Sequence, residues 1–73
     1  MANLATPGAL AELVRVRRKD FGLNQSDLAD LAGVSARFVY DLERGKPTVA
    51  MDKVLAVTKC LGIVLTLEVG LSV

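Results

Sequence analysis

Apolar positions recur at helical spacing through most of this chain and then switch to every second residue near its end. Leu10, Leu13, Val14, Arg17 and Phe21 follow Thr6-Pro7, a hydroxyl cap and a first-position proline. They predict a first helix running to about Asp20, closed by Gly22. Asn24 opens a second helix, and Asp27 three residues on imitates a capping box. Leu28, Ala29, Leu31 and Ala32 supply its apolar side, and Gly33 ends it. Ser35 caps a third helix, expected from Ala36 to about Arg44 and stopped by Gly45 and Pro47. Met51, Val54, Leu55, Val57, Thr58 and Leu61 signal a fourth, ending at Gly62. Ala50 is a poor cap, so Thr48 is a candidate start for a slightly longer helix.

After Gly62 the period becomes two. Ile63, Leu65, Leu67 and Val69 alternate with Val64, Thr66 and Glu68, the pattern of a strand. A lone strand in a helical chain exposes an unpaired edge. Pairing of that edge with a second copy is the expectation, with Ile63, Leu65, Leu67 and Val69 at the interface. The alternative is a strand folded back on the fourth helix. The chain thus divides into residues 1–62, a helical domain, and 63–73, a strand and tail for dimerisation.

The third helix has more polar surface than its packing requires. At helical rotation, Phe38, Val39 and Leu42 share one apolar arc. Ala36, Arg37, Tyr40, Asp41 and Arg44 share the opposite one. A solvated face is the plain reading. The preceding short helix and the tight turn at Gly33 favour another: two helices in helix-turn-helix geometry, the second shaped to enter a DNA major groove. Arginine in that position can donate to guanine O6 and N7 together.

Composition narrows the choice. The 73 residues fit one small domain, 52% of them hydrophobic, with mean hydropathy +0.43. A chain so small and apolar needs a staple or a partner. One cysteine cannot form an internal disulfide, and with no histidine a metal site is not expected. Cys60 falls among Val54, Val57 and Leu61 and is expected to be a buried thiol. Oligomerisation remains. Net charge is +1, so an anionic partner must be met by a local patch rather than by overall charge. Arg15, Arg17, Arg18 and Lys19 cluster near the N-terminus, while Asp27, Asp30, Asp41 and Glu43 lie centrally. No secretory signal and no uncharged apolar run near the roughly 18 residues of a membrane span are visible, which points to the cytoplasm. The absence of histidine, of a reactive-looking cysteine and of a phosphate-binding glycine loop argues against an enzyme and against any cofactor.

Gly22-Leu23-Asn24-Gln25, Leu28-Ala29, Ala32-Gly33-Val34-Ser35 and Leu42-Glu43-Arg44-Gly45 together resemble the lambda-repressor-like helix-turn-helix family, the Cro/C1 or XRE type, over roughly residues 9–62. Within it, ARFVYDLERGKPTVAMDKVLAV followed by Leu61-Gly62 is most similar to HipB-type antitoxins, small repressors encoded beside a HipA-type kinase toxin. The resemblance implies an all-α bundle of four to five helices with a short C-terminal β-strand used in dimerisation. It also implies a homodimer on double-stranded DNA that represses its own operon. By position, Ser35, Ala36, Arg37 and Asp41 would read or line the groove. Gln25 would contact backbone phosphate, with Asn24 capping beside it, and Tyr40, Arg44 and Lys46 would serve as further phosphate contacts. Arg18 and Glu43 match a family ion pair that ties the first helix to the end of the third.

This sequence departs from the family where many members carry glutamine and it has Ala36, which offers only a methyl contact. Asp41 is unusual on a DNA-facing surface; it can accept from cytosine N4 or orient Arg37 or Arg44. A second reading stands beside the repressor: a protein-interaction antitoxin whose main work is to hold a kinase-type toxin inactive.

Overall fold

The structure, a computed structural model, describes residues 7–47 and 50–65. Four helices follow one another: α1 (Pro7–Asp20), α2 (Gln25–Ala32), α3 (Ala36–Glu43) and α4 (Met51–Cys60). Their bounds follow local chemistry. Pro7 is the first helical residue of α1, where its missing N–H costs nothing. Asn24 Oδ1 accepts from the Asp27 amide at 2.7 Å and Asp27 returns a bond to the Asn24 amide, a complete capping box. Ser35 Oγ accepts from the Phe38 amide at 3.0 Å and opens α3. Ala50 precedes α4 with no side-chain oxygen to offer; Thr48, the candidate cap, lies outside the described residues.

All four helices end in one motif. A glycine with φ between 68° and 77° turns the chain at Gly22, Gly33, Gly45 and Gly62. The residue after each glycine sends its N–H back five residues: Leu23 to Arg18, Val34 to Ala29, Lys46 to Asp41 and Ile63 to Thr58. Three of those four following residues are apolar, and Val34 and Ile63 pack against the core; at the end of α3 the position holds Lys46.

Val14, Leu28, Ala29, Val39, Leu42, Val54, Val57 and Leu61 form one buried cluster, joining all four helices. Each large member contributes roughly 1.5–3 kcal/mol by leaving water. α2 packs on α3 and α4, and α1 packs on α3. Arg17, at an apolar-period position of α1, is half-buried because its Nε donates to the Leu61 carbonyl at 3.1 Å. It therefore caps the end of α4.

Three expectations are corrected. Cys60 is exposed, because Thr58 completes the buried arc of α4 instead, its hydroxyl donating to the Leu55 carbonyl at 3.0 Å. Leu31 is exposed; Leu28, Ala29 and Ala32 already fill the inward arc of α2. The third concerns the strand. Among the described residues there is none: Ile63, Val64 and Leu65 continue past α4 without regular structure, and Ile63 and Leu65 pack against the core. A strand is held by ladder bonds to a neighbour, whereas the Ile63 N–H is already spent on Thr58 in the helix-ending turn. Leu67 and Val69 lie outside the described residues.

Candidate nucleic-acid interface

α3 is held on one side and open on the other. Val39 and Leu42 are buried, while Ala36, Arg37, Tyr40 and Arg44 are exposed. The turn between α2 and α3 is three residues, Gly33-Val34-Ser35, with Val34 packed against the core. α3 is therefore fixed as a rigid rod across α2 with its polar arc facing outward.

That arc is an ordered set of charges. The Arg37 guanidinium lies 5.5 Å and the Arg44 guanidinium 5.3 Å from the centroid of the Tyr40 ring, so one aromatic ring engages two cations. Arg44 also donates to the Tyr40 hydroxyl at 3.2 Å. Arg37 Nε lies 3.2 Å from Asp41, and Lys46 Nζ lies 3.7 Å from the same carboxylate. Ser35 and Ala36 stand at the exposed N-terminal end of α3, Ser35 with its hydroxyl engaged as the cap.

Beside this helix lies the start of α2. The capping box serves the amides of Asn24 and Asp27, which leaves the first-turn amides of Gln25 and Ser26 for an outside acceptor. The Asp27 carboxylate in the box offsets part of the positive helix end. Gln25 Nε2 reaches inward to Glu43 Oε1 at 3.3 Å.

Under the surface sits an ion pair. Arg18 Nε donates to Glu43 Oε2 at 2.6 Å and Arg18 Nη2 to Oε1 at 3.0 Å, while Nη1 reaches the Leu23 carbonyl at 2.7 Å. Both side chains are almost wholly buried, at 11% and 4% exposure. Among the described residues no buried side-chain nitrogen or oxygen lacks a partner. The pair ties α1 to the end of α3, and Gln25 brings α2 into the same network.

Three members of the N-terminal basic cluster are engaged within the fold, while Lys19 is exposed. Arg15 is 2.7 Å from Glu12, Arg17 caps α4 and stacks on Phe21, and Arg18 is inside. Arg37, Arg44 and Lys46 place exposed positive charge on α3 and the turn after it. Sequence reasoning missed the Asp41–Lys46 contact. Its signal was the five-residue spacing across Gly45, which the helix-ending turn folds together.

Residues 14–66 match the family described as Helix-turn-helix. The chain belongs to this family. It is similar to the HTH-type transcriptional regulator y4mF of Sinorhizobium fredii, 49% identical over 60 residues that span 82% of this chain and 79% of that one. Among solved structures it resembles the clp gene regulator ClgR from Corynebacterium glutamicum, with a TM-score of 0.68 and 32% identity. That similarity covers 78% of this chain and 61% of ClgR, so the chain spans about three fifths of that relative. The helix-turn-helix is α2, the Gly33 turn and α3, in a DNA-binding domain of transcriptional-regulator type. No described helix is long and apolar enough to cross a membrane.

Proposed function

We propose that this protein is a dimeric repressor of the HipB-like antitoxin type, binding an inverted-repeat operator through α3. The observation that carries the reading is the outward arc of α3, where Tyr40 orders Arg37 and Arg44 on a helix otherwise locked into the core. Arg37, with 75% of its side chain exposed, is the base reader, by bidentate donation to a guanine. Ala36 offers a methyl contact, Ser35 and Asp41 line the groove, and Asn24, Gln25, Tyr40, Arg44 and Lys46 meet backbone phosphates. The helix ends aimed at phosphate supply affinity and salt dependence; the base contact supplies register.

Two copies would place two α3 helices on successive major grooves, with half-sites about 34 Å, or a multiple of that, apart. The HipA-like kinase partner belongs to the same proposal and is supported by the resemblance of the α3–α4 segment. Co-purification with a kinase encoded beside the gene tests it.

Selection of bound sequences from random DNA tests the DNA reading. The expected result is a palindromic site in which Arg37→Ala costs about 1–3 kcal/mol and relaxes preference at one base pair. Equal losses on selected and random duplexes would remove the base-reading role. Gln25→Ala, which also removes the bond to Glu43, is expected to weaken every sequence alike.

A further inference from the structure

The exposed surface of α3 carries one carboxylate among its cations, and it is held in an unusual way. Three of the four helix-ending turns close with an apolar residue after the glycine, the ordinary companion of this motif. At the end of α3 that residue is Lys46, whose amide bonds the Asp41 carbonyl at 3.1 Å and whose ammonium lies 3.7 Å from the Asp41 carboxylate. One helical turn earlier, Arg37 approaches the same carboxylate to 3.2 Å. Asp41 is thus flanked by a cation on either side along the helix, with its side chain 22% exposed between them.

These pairs do little for stability. Exposed ion pairs contribute little because water screens them, and the order of Arg37 before Asp41 is the less favourable one for a helix. Their larger effect is on what the surface offers a polyanion. A phosphate approaching Arg37 or Lys46 meets the Asp41 charge beside it and must displace it from its partners. A matching base pair gives more than a phosphate: guanine O6 and N7 accept from Arg37 in a fixed fork, and the cytosine N4 amine can donate to the carboxylate Arg37 leaves.

We propose that Asp41 is an internal competitor for phosphate that holds Arg37 and Lys46 and suppresses sequence-independent DNA binding. The proposal rests on the DNA-binding reading and deepens it. Asp41 is a positioning residue whose effect is on specificity.

The test uses the full chain and a random-sequence duplex about two helical turns long. Binding is measured between about 50 and 200 mM salt, where phosphate contacts register as a slope. Asp41→Asn is expected to tighten binding about threefold to tenfold at the low-salt end and to steepen the slope by about one to two. Asp30→Asn, which removes an equal charge from an exposed position on α2, is expected to change binding far less. Lys46→Gln is expected to weaken random-duplex binding more strongly in the Asp41→Asn background than in the wild type, because the lysine is engaged only in the latter. The far-ultraviolet thermal midpoint of Asp41→Asn is expected to match that of the wild type, so that the gain in binding is not a change in folding.

Wild type that binds the duplex while Asp41→Asn binds with equal affinity and slope would overturn the role of Asp41 alone. An equal gain from Asp30→Asn would also overturn it, since the effect would be net charge. Failure of wild type and Asp41→Asn alike to bind any duplex would overturn the DNA reading and this proposal with it.

Discussion

At the scale of single residues, burial decides which charges matter for the fold. Arg18 and Glu43 form a bidentate pair that is almost fully enclosed, and Arg18 satisfies a third acceptor at the Leu23 carbonyl. Removing one member leaves the other charge buried without its counter-charge, which costs about 3–5 kcal/mol. Glu43→Ala is therefore expected to lower the urea midpoint severely, since small domains hold only about 5 kcal/mol in reserve. Glu12 and Arg15 provide the contrast. Their 2.7 Å contact holds the Glu12 carboxyl below its ordinary value, but both groups are solvent-facing. A lowered carboxyl stabilises above its unfolded pKa and loses that contribution as pH falls through its folded one. Here screening leaves the contribution negligible, so Glu12→Gln is expected to leave the urea midpoint unchanged. The same midpoint measurement at neutral pH separates the two pairs.

At the scale of elements, the turns carry the architecture. Gly33 holds φ at 71° between α2 and α3, and nothing lies within 4 Å of where a Cβ would stand. Substitution there tests backbone conformation alone. Gly33→Ala is expected to cost about 1–2 kcal/mol through the left-handed backbone, read by urea unfolding, and to tilt α3 against α2. The helix bounds were legible in the chain because each stop is a glycine and two starts are oxygen-bearing caps, Asn24 and Ser35. The rotation of α3 was legible too, since Val39 and Leu42 mark the inner arc and Arg37 and Arg44 the outer. Cys60 and Leu31 were not. Each apolar helix face offered more hydrophobic residues than its inward arc can hold, and the choice among them is made by packing between helices. The Asp41–Lys46 contact escaped for a related reason: periodicity describes positions on one helix, and Lys46 reaches Asp41 only through the turn beyond it.

At the scale of the whole molecule, one copy leaves apolar surface uncovered along α4 and the segment after it. Met51 and Leu55 on α4 and Val64 beyond it are exposed at 59%, 49% and 82%, beside a shallow groove that Ile63 and Leu65 help to line. A small domain with a thin core gains from covering such a surface. The apolar residues Leu65, Leu67 and Val69, the last two outside the described residues, are candidates to cover it in a second copy. We expect a chain ending at Val64 to sediment as a monomer or to precipitate, while the full chain sediments as a dimer. Its thermal midpoint should lose the dependence on protein concentration that a dimer imposes. DNA affinity separates the two contributions of the interface. A monomer retains the α3 surface, so it should still bind a single half-site weakly, but it forfeits the gain of two linked sites, a factor of about 10²–10⁴ on the full inverted repeat. A truncated chain that remains a tight dimer would place the interface on α4 itself, on Met51 and Leu55, and a charge introduced at Leu55 would then dissociate it.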